Sequence, residues 1–174
     1  MKHTLAILVE NRFGELARIV GLFSARGYNI ESLTVAETLE PQVSRVTLVT
    51  SGDDKTIEQI VKQLDKQIRV LSVVDLTLDA YIEREMALLH VETKSGNERL
   101  EVMKLASIFD AKVIDASENT LTVEAMAERD RLDDLLRLLQ PFGIREIARG
   151  GTLAIARVSV RTPAAAEAIK EMVG

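Results

Sequence analysis

Cysteine is absent from the 174 residues, which removes disulfide scaffolds, thiolate metal sites and cysteine nucleophiles. That fits a reducing compartment. A basic excess is also missing: 22 Lys and Arg stand against 27 Asp and Glu, as 9 against 11 in residues 1–80 and 13 against 16 in the rest. Neither half carries the positive footprint that neutralises nucleic-acid phosphates. The few aromatics, Phe13, Phe23, Tyr28, Tyr81, Phe109 and Phe142, all fall outside the runs that read as central strands, so no sheet can stack bases. The first apolar run, Leu5 to Val9, stops at Glu10 and lacks a small-residue cleavage site, so it does not read as a signal peptide and a cytoplasmic location is expected. What is present, 47% hydrophobic and 28% charged side chains, suits one medium or two small globular cores.

Apolar residues recur at i, i+3, i+4 and i+7 in four places: Leu16, Ile19, Val20, Phe23; Ile57, Ile60, Val61, Leu64; Val102, Leu105, Ala106, Phe109; and Leu132, Leu135, Leu136, Leu139. Each set is one face of an amphipathic helix. Between them, β-branched and leucine-rich runs predict strands near 4–10, 29–38, 43–50 and 68–78, then 86–93, 111–116, 120–126 and 144–149. The order is βαββαβ, twice. Gly27 suits a left-handed helix end, Asp53-Asp54 a helix start, Glu40-Pro41 and Glu118-Asn119 two hairpins, and Pro141 with Gly143 the close of the fourth helix. The expected fold class is α+β, two ferredoxin-like modules, each an antiparallel sheet with both helices on one face. Polar residues 79–85 put the boundary between 79 and 80, giving modules at 1–79 and 80–160 and a short tail at 161–174, Ala164 to Met172 reading as helix. The first strand is apolar on both faces, so its second face needs a cover, and modules this small favour a homodimer through the first.

The chemical inventory is poor. His3 and His90 are the only histidines and lack ligand spacing, so structural roles are expected for both. No serine sits in a Gly-x-Ser-x-Gly elbow, and there is neither a Walker lysine loop nor Gly-x-Gly-x-x-Gly. Glu83 with Glu85, and Asp133 with Asp134, read as solvated charges. An acylphosphatase-like anion cradle has only Asn11 and Arg12 as an echo, and the fold alone does not specify a function.

Residues 10–37 are the informative segment. Asn11-Arg12-Phe13-Gly14 joins a strand end directly to a helix start, where free N–H groups beside a glycine suit a carboxylate. Gly27-Tyr28-Asn29 brings an amide side chain to the next strand, able to meet an ammonium or a carboxylate. The plainer reading is that Gly14 only permits a turn and Asn29 only caps one. A carboxylate introduced at position 14 should oppose a ligand's carboxylate without unfolding the chain, provided the backbone there is not left-handed.

This segment resembles the ligand-binding signature of ACT domains. Together with Arg26-Gly27-Tyr28-Asn29-Ile30-Glu31-Ser32-Leu33, Glu58-Gln59-Ile60, Lys62-Gln63-Leu64, Arg84-Glu85, Ala87-Leu88, Val113-Ile114-Asp115, Phe142-Gly143-Ile144 and Glu146, it is similar to the small regulatory subunits of acetohydroxyacid synthase over about residues 3–156. The resemblance implies a subunit without catalytic residues or a metal of its own. It activates a large subunit that carries thiamine diphosphate, magnesium and FAD, and it confers feedback inhibition by valine in branched-chain amino acid biosynthesis. It also implies ACT modules paired through edge strands, with effector sites at the dimer interface. By the family motif, Asn11, Gly14 and Asn29 are the effector-binding positions, with Ile30, Val35 and Ala36 as apolar or backbone neighbours. Ala17 stands where many relatives carry serine, Ala156-Arg157-Val158 departs from the family's ending, and Lys94-Ser95-Gly96-Asn97 replaces the Asn-x-x-Gly loop, so no second effector site is expected. A free-standing ACT-type sensor of another enzyme is the alternative.

The isolated chain, given pyruvate, thiamine diphosphate, magnesium and FAD, is expected to form no acetolactate. Turnover by the pure chain in a discontinuous acetoin assay would overturn this.

Overall fold

The computed structural model describes residues 1–158. The helix expected in the tail lies outside the described residues. The chain forms β1 (Lys2–Glu10), α1 (Glu15–Arg26), β2 (Ile30–Glu37), β3 (Val43–Ser51), α2 (Asp54–Asp65) and β4 (Val70–Asp75), and then β5 (Tyr81–Glu92), α3 (Gly96–Ile108), β6 (Lys112–Ala116), β7 (Thr120–Ala127), α4 (Arg129–Leu139), β8 (Ile144–Arg149) and β9 (Leu153–Ala156). The strand orders β2-β3-β1-β4 and β6-β7-β5-β8 are those of two ferredoxin-like modules. No helix among the described residues is long and apolar enough to cross a membrane.

The helical periodicities bury the faces they mark. In the first module Ile19, Phe23, Ile60 and Leu64 close over Leu5, Ile7 and Leu48, each 1% exposed or less. Full burial of such a side chain contributes about 1.5–3 kcal/mol. Tyr28 meets Phe23 edge to face at 6.0 Å, which ties the turn after α1 to this core. In the second module Val102, Leu132, Leu135 and Leu139 cover Ala87, Leu89 and Val91. The alternate residues of β5 there, Met86 and Leu88, remain about two-fifths exposed, at 43% and 38%.

Three features differ from the sequence reading. The run 68–78 is broken: Asp75 accepts a hydrogen bond from the Thr77 amide at 3.0 Å and turns the chain into one 3-10 turn after β4. Residues 81–85 are the start of a twelve-residue strand and not a polar joint. Glu85 is not a solvated charge: its side chain is 2% exposed, with Arg149 Nε at 2.7 Å and Arg129 Nε at 3.6 Å. Arg149 also donates to Asp133 at 2.6 Å. A buried carboxylate persists only when its charge is answered in this way.

The compact units are residues 1–82 with 152–158, and residues 83–151. The returning segment supplies the cover that β1 needs. Ala154 and Ala156 pack with Ala6, Val74, Leu76 and Tyr81 against the sheet face away from the helices. Ser32 Oγ accepts the Thr152 amide at 2.8 Å, and the Arg45 guanidinium donates to the Ala154 carbonyl at 2.8 Å. Burial lowers the Arg45 pKa.

Ser32→Ala removes the acceptor of a buried amide, Thr152 being 1% exposed. It is expected to lower stability by about 1–2 kcal/mol, seen as a lower urea midpoint at unchanged slope. An unchanged midpoint would show that the segment's hydrogen bond to β2 adds nothing.

Candidate functional site

The loop after β1 is built around one left-handed residue. Gly14 has φ 89° and ψ −10°, at the third position of a turn closed by the Glu15 amide on the Arg12 carbonyl at 3.3 Å. Only glycine takes that place without strain. The same residue is the N-cap of α1, and having no side chain it caps none of the first-turn amides. The equivalent point in the second module is closed: Ser95 accepts the Glu98 amide at 3.2 Å, and Glu98 accepts the Lys94 amide at 2.6 Å. The Ser95 cap thus satisfies one first-turn amide of α3, whereas no side chain caps the first turn of α1.

Beside this loop lies a cavity of about 80 Å³ lined by Val9, Asn11, Leu16, Val35, Ser44 and Val46, among others. The Asn11 amide nitrogen donates to Glu37 Oε1 and to the Pro41 carbonyl, both at 2.9 Å, which ties the loop to the β2–β3 hairpin. With both partners acceptors, Oδ1 is the atom left to receive a donor. Charges around the mouth are already answered. Arg12 is 2.9 Å from Glu10, and the buried Glu15 holds Arg69 at 2.8 Å and Arg18 at 3.3 Å. With Arg12 spent on Glu10, the arginine-based anion cradle considered from the sequence has no free cation in this loop.

Asn11, Gly14 and Val35 therefore meet at one end of the sheet. Asn29 does not join them within the chain. Ile30 and His3 both pair with Thr50, whereas Glu10 pairs with Val43 and Glu37 with Ser44, so the two groups are separated by the length of β3, about 24 Å at the usual rise per residue. The exposed Asn29 is held at its end by its carbonyl, which accepts from Thr50 Oγ1 at 2.6 Å. Ile30 is half-buried against the helix-side core, and Ala36 pairs with Arg45 on the opposite face from Val35, so its side chain does not reach the cavity. The lining residues Val9, Leu16, Ser44 and Val46 were not legible as site residues. They read as ordinary core periodicity, and only the pairing of three strands brings them to one point.

Residues 5–72 match the family model of the AHAS small subunit-like ACT domain, and residues 84–158 match that of the small subunit of acetolactate synthase. The chain is 46% identical over 156 residues to the acetolactate synthase small subunit of Aquifex aeolicus, covering 90% of this chain and 81% of that one. It is 47% identical over 155 residues to that of Mycobacterium bovis, covering 89% and 92%. The chain belongs to the acetolactate synthase small subunit family. The crystal structure of the acetolactate synthase small subunit from Thermotoga maritima superposes with a TM-score of 0.82 at 37% identity, over 92% of this chain and 99% of that one. As a member of this family the chain is a regulatory small subunit with an ACT domain, and a catalytic large subunit is its implied partner.

The left-handed Gly14 changes what a substitution there reports. A Cβ at position 14 would meet nothing within 4 Å, yet the backbone conformation itself disfavours an L side chain. Gly14→Ala is expected to cost about 1–2 kcal/mol and Gly14→Asn less, in urea denaturation. Gly14→Asp therefore mixes strain with charge repulsion, against the expectation of an unperturbed fold. Equal stability of the alanine and wild-type chains would contradict the strained turn.

Proposed function

We propose that the chain activates the thiamine diphosphate-dependent acetolactate synthase large subunit and mediates its feedback inhibition by valine, in branched-chain amino acid biosynthesis. Thiamine diphosphate, magnesium and FAD belong to that partner. The observation that carries the reading is the uncapped start of α1 beside a small cavity walled by Val9, Val35 and Val46, when the matching helix of the second module is capped. The open amides suit a carboxylate, the Asn11 Oδ1 suits an ammonium, and the valine-lined space suits a branched apolar side chain. Asn11, Gly14 and Val35 are assigned to this effector site, with Ala36 as a backbone neighbour, whereas Ile30 lies with Asn29 at the far end of the sheet.

Asn29 enters through a second copy. β2 is an edge strand, so a partner's β2 can extend the sheet. Pairing two β2 strands antiparallel about Thr34 brings residue 29 of one beside the region of residue 38 of the other, which is the cavity end. A homodimer through the ACT domain then completes each site with Asn29 of the opposite chain. Valine must favour one arrangement of the dimer on the large subunit, because equal affinity for both would shift nothing.

Acetolactate formation by the large subunit should rise when the chain is added and fall again with valine. An unchanged rate would point to a free-standing amino-acid sensor. The shared site makes a sharper prediction. Asn11→Ala and Asn29→Ala should each weaken valine binding by about 1–3 kcal/mol in calorimetry, whereas refolding the two variants together should restore tight sites, since each mixed dimer holds one intact pair. No recovery in the mixture would place both asparagines' action within one chain or remove them from the site.

A further inference from the structure

Three large apolar side chains stand fully in solvent at one end of the first module. Phe13 is 104% exposed, Leu39 102% and Ile68 95%. They belong to three separate loops, β1–α1, β2–β3 and α2–β4, which backbone hydrogen bonds draw together: the Asn11 amide donates to the Gln42 carbonyl at 2.6 Å, and the Glu10 amide to the Arg69 carbonyl at 3.0 Å. None of the three hangs on slack chain. Phe13 is the second residue of the turn whose third is Gly14, and Ile68 holds the same place in a turn closed by the Val70 amide on the Gln67 carbonyl at 3.1 Å. The Glu40 amide reaches across Leu39 to Thr38 Oγ1, also at 3.1 Å.

Single apolar residues scattered over a surface need no explanation, but three held firmly at one end do. The second module is the control. Its β5–α3 and β6–β7 loops carry the exposed Lys94 and Glu118, and Phe142, in its α4–β8 turn, packs inward onto the core. The fold therefore does not require apolar tips. Charge points to a protein partner, because Arg12 pairs with Glu10 and Arg69 with Glu15 in a chain of net charge −5, which leaves little to draw a nucleic acid or an anionic membrane. Apolar anchors ringed by answered charges suit an apolar protein surface. A second copy does not cover them all: β4 lies three strand positions from β2, about 14 Å, so a dimer paired through β2 leaves Ile68 open.

We infer that Phe13, Leu39 and Ile68 form the surface on which the catalytic large subunit docks, each side chain entering an apolar recess of that partner. The inference rests on the reading of the chain as the regulator of that subunit, and it names where regulation acts. Phe13 and Gly14 share one turn, and the Asn11 side chain holds the Pro41 carbonyl of the hairpin that carries Leu39. A ligand at the uncapped start of α1 thus meets the two loops that present these anchors, and it biases docking by direct contact.

Interferometry of the full chain on the purified large subunit tests this beside acetolactate formation, with Phe13→Ser, Leu39→Ser and Ile68→Ser combined in one chain. The Kd and the concentration giving half-maximal activation should both rise about tenfold or more. Valine affinity by calorimetry, the sedimenting species and the thermal melt should match the wild type, because side chains this exposed pack on nothing else in the chain. Leu78→Ser, at a residue 78% exposed at the other end of the module, should change none of these readings. An unchanged Kd in the triple variant would overturn the docking surface and leave the regulatory reading standing. So would an equal weakening by Leu78→Ser, or a loss of valine binding or of the dimer in the triple variant. A wild-type chain that neither binds nor activates the large subunit would overturn both.

Discussion

β1 must be hidden from water on both faces, and the first module is organised by that requirement. From His3 to Val9 every residue is buried. One face takes the helices, through Leu5, Ile7 and Val9. The other takes the chain's own later segment, through Ala6 and Ala154. A strand fixed so firmly holds the loop that leaves it, and Asn11 to Gly14 emerge with their position set before any ligand arrives. Preorganisation of that kind lowers the ordering cost of binding.

The two modules repeat one fold and differ at the start of their first helix. Ser95 caps the Glu98 amide in the first turn of α3, whereas Gly14 leaves the first turn of α1 without a side-chain cap. The same architecture thus has a helix start without a side-chain cap in one copy and a capped one in the other. The difference rests on one residue having no side chain and a positive φ.

Buried charge is handled alike in both modules. Glu15 and Glu85 are each nearly inaccessible and each is met by arginine, Arg69 in one case and Arg149 in the other. Both pairs join residues far apart in sequence, at 54 and 64 positions. Removing one partner of such a pair leaves an unanswered charge in a poorly solvated place, which makes them pins of the fold more than sources of net stability.

The helices and most strands were legible because their information is local: a 3.6-residue or a two-residue apolar period, a glycine after α1, an aspartate before α2. Gly14 and Asn11 were legible for the same reason, as a short loop between a strand end and a helix start. Whether Gly14 was left-handed was not, since a glycine adopts either sign of φ at little cost and the neighbouring turn decides. Glu85 looked like a solvated charge because the arginine that buries it lies 64 residues away. The cover over β1 was equally invisible, and so was the distance that separates Asn29 from Asn11. Period and turn chemistry act between neighbours in the chain, so the sequence by itself determined the elements and the loop. Strand register and helix direction act between residues that only folding brings together, and these alone decided which side chains share a site.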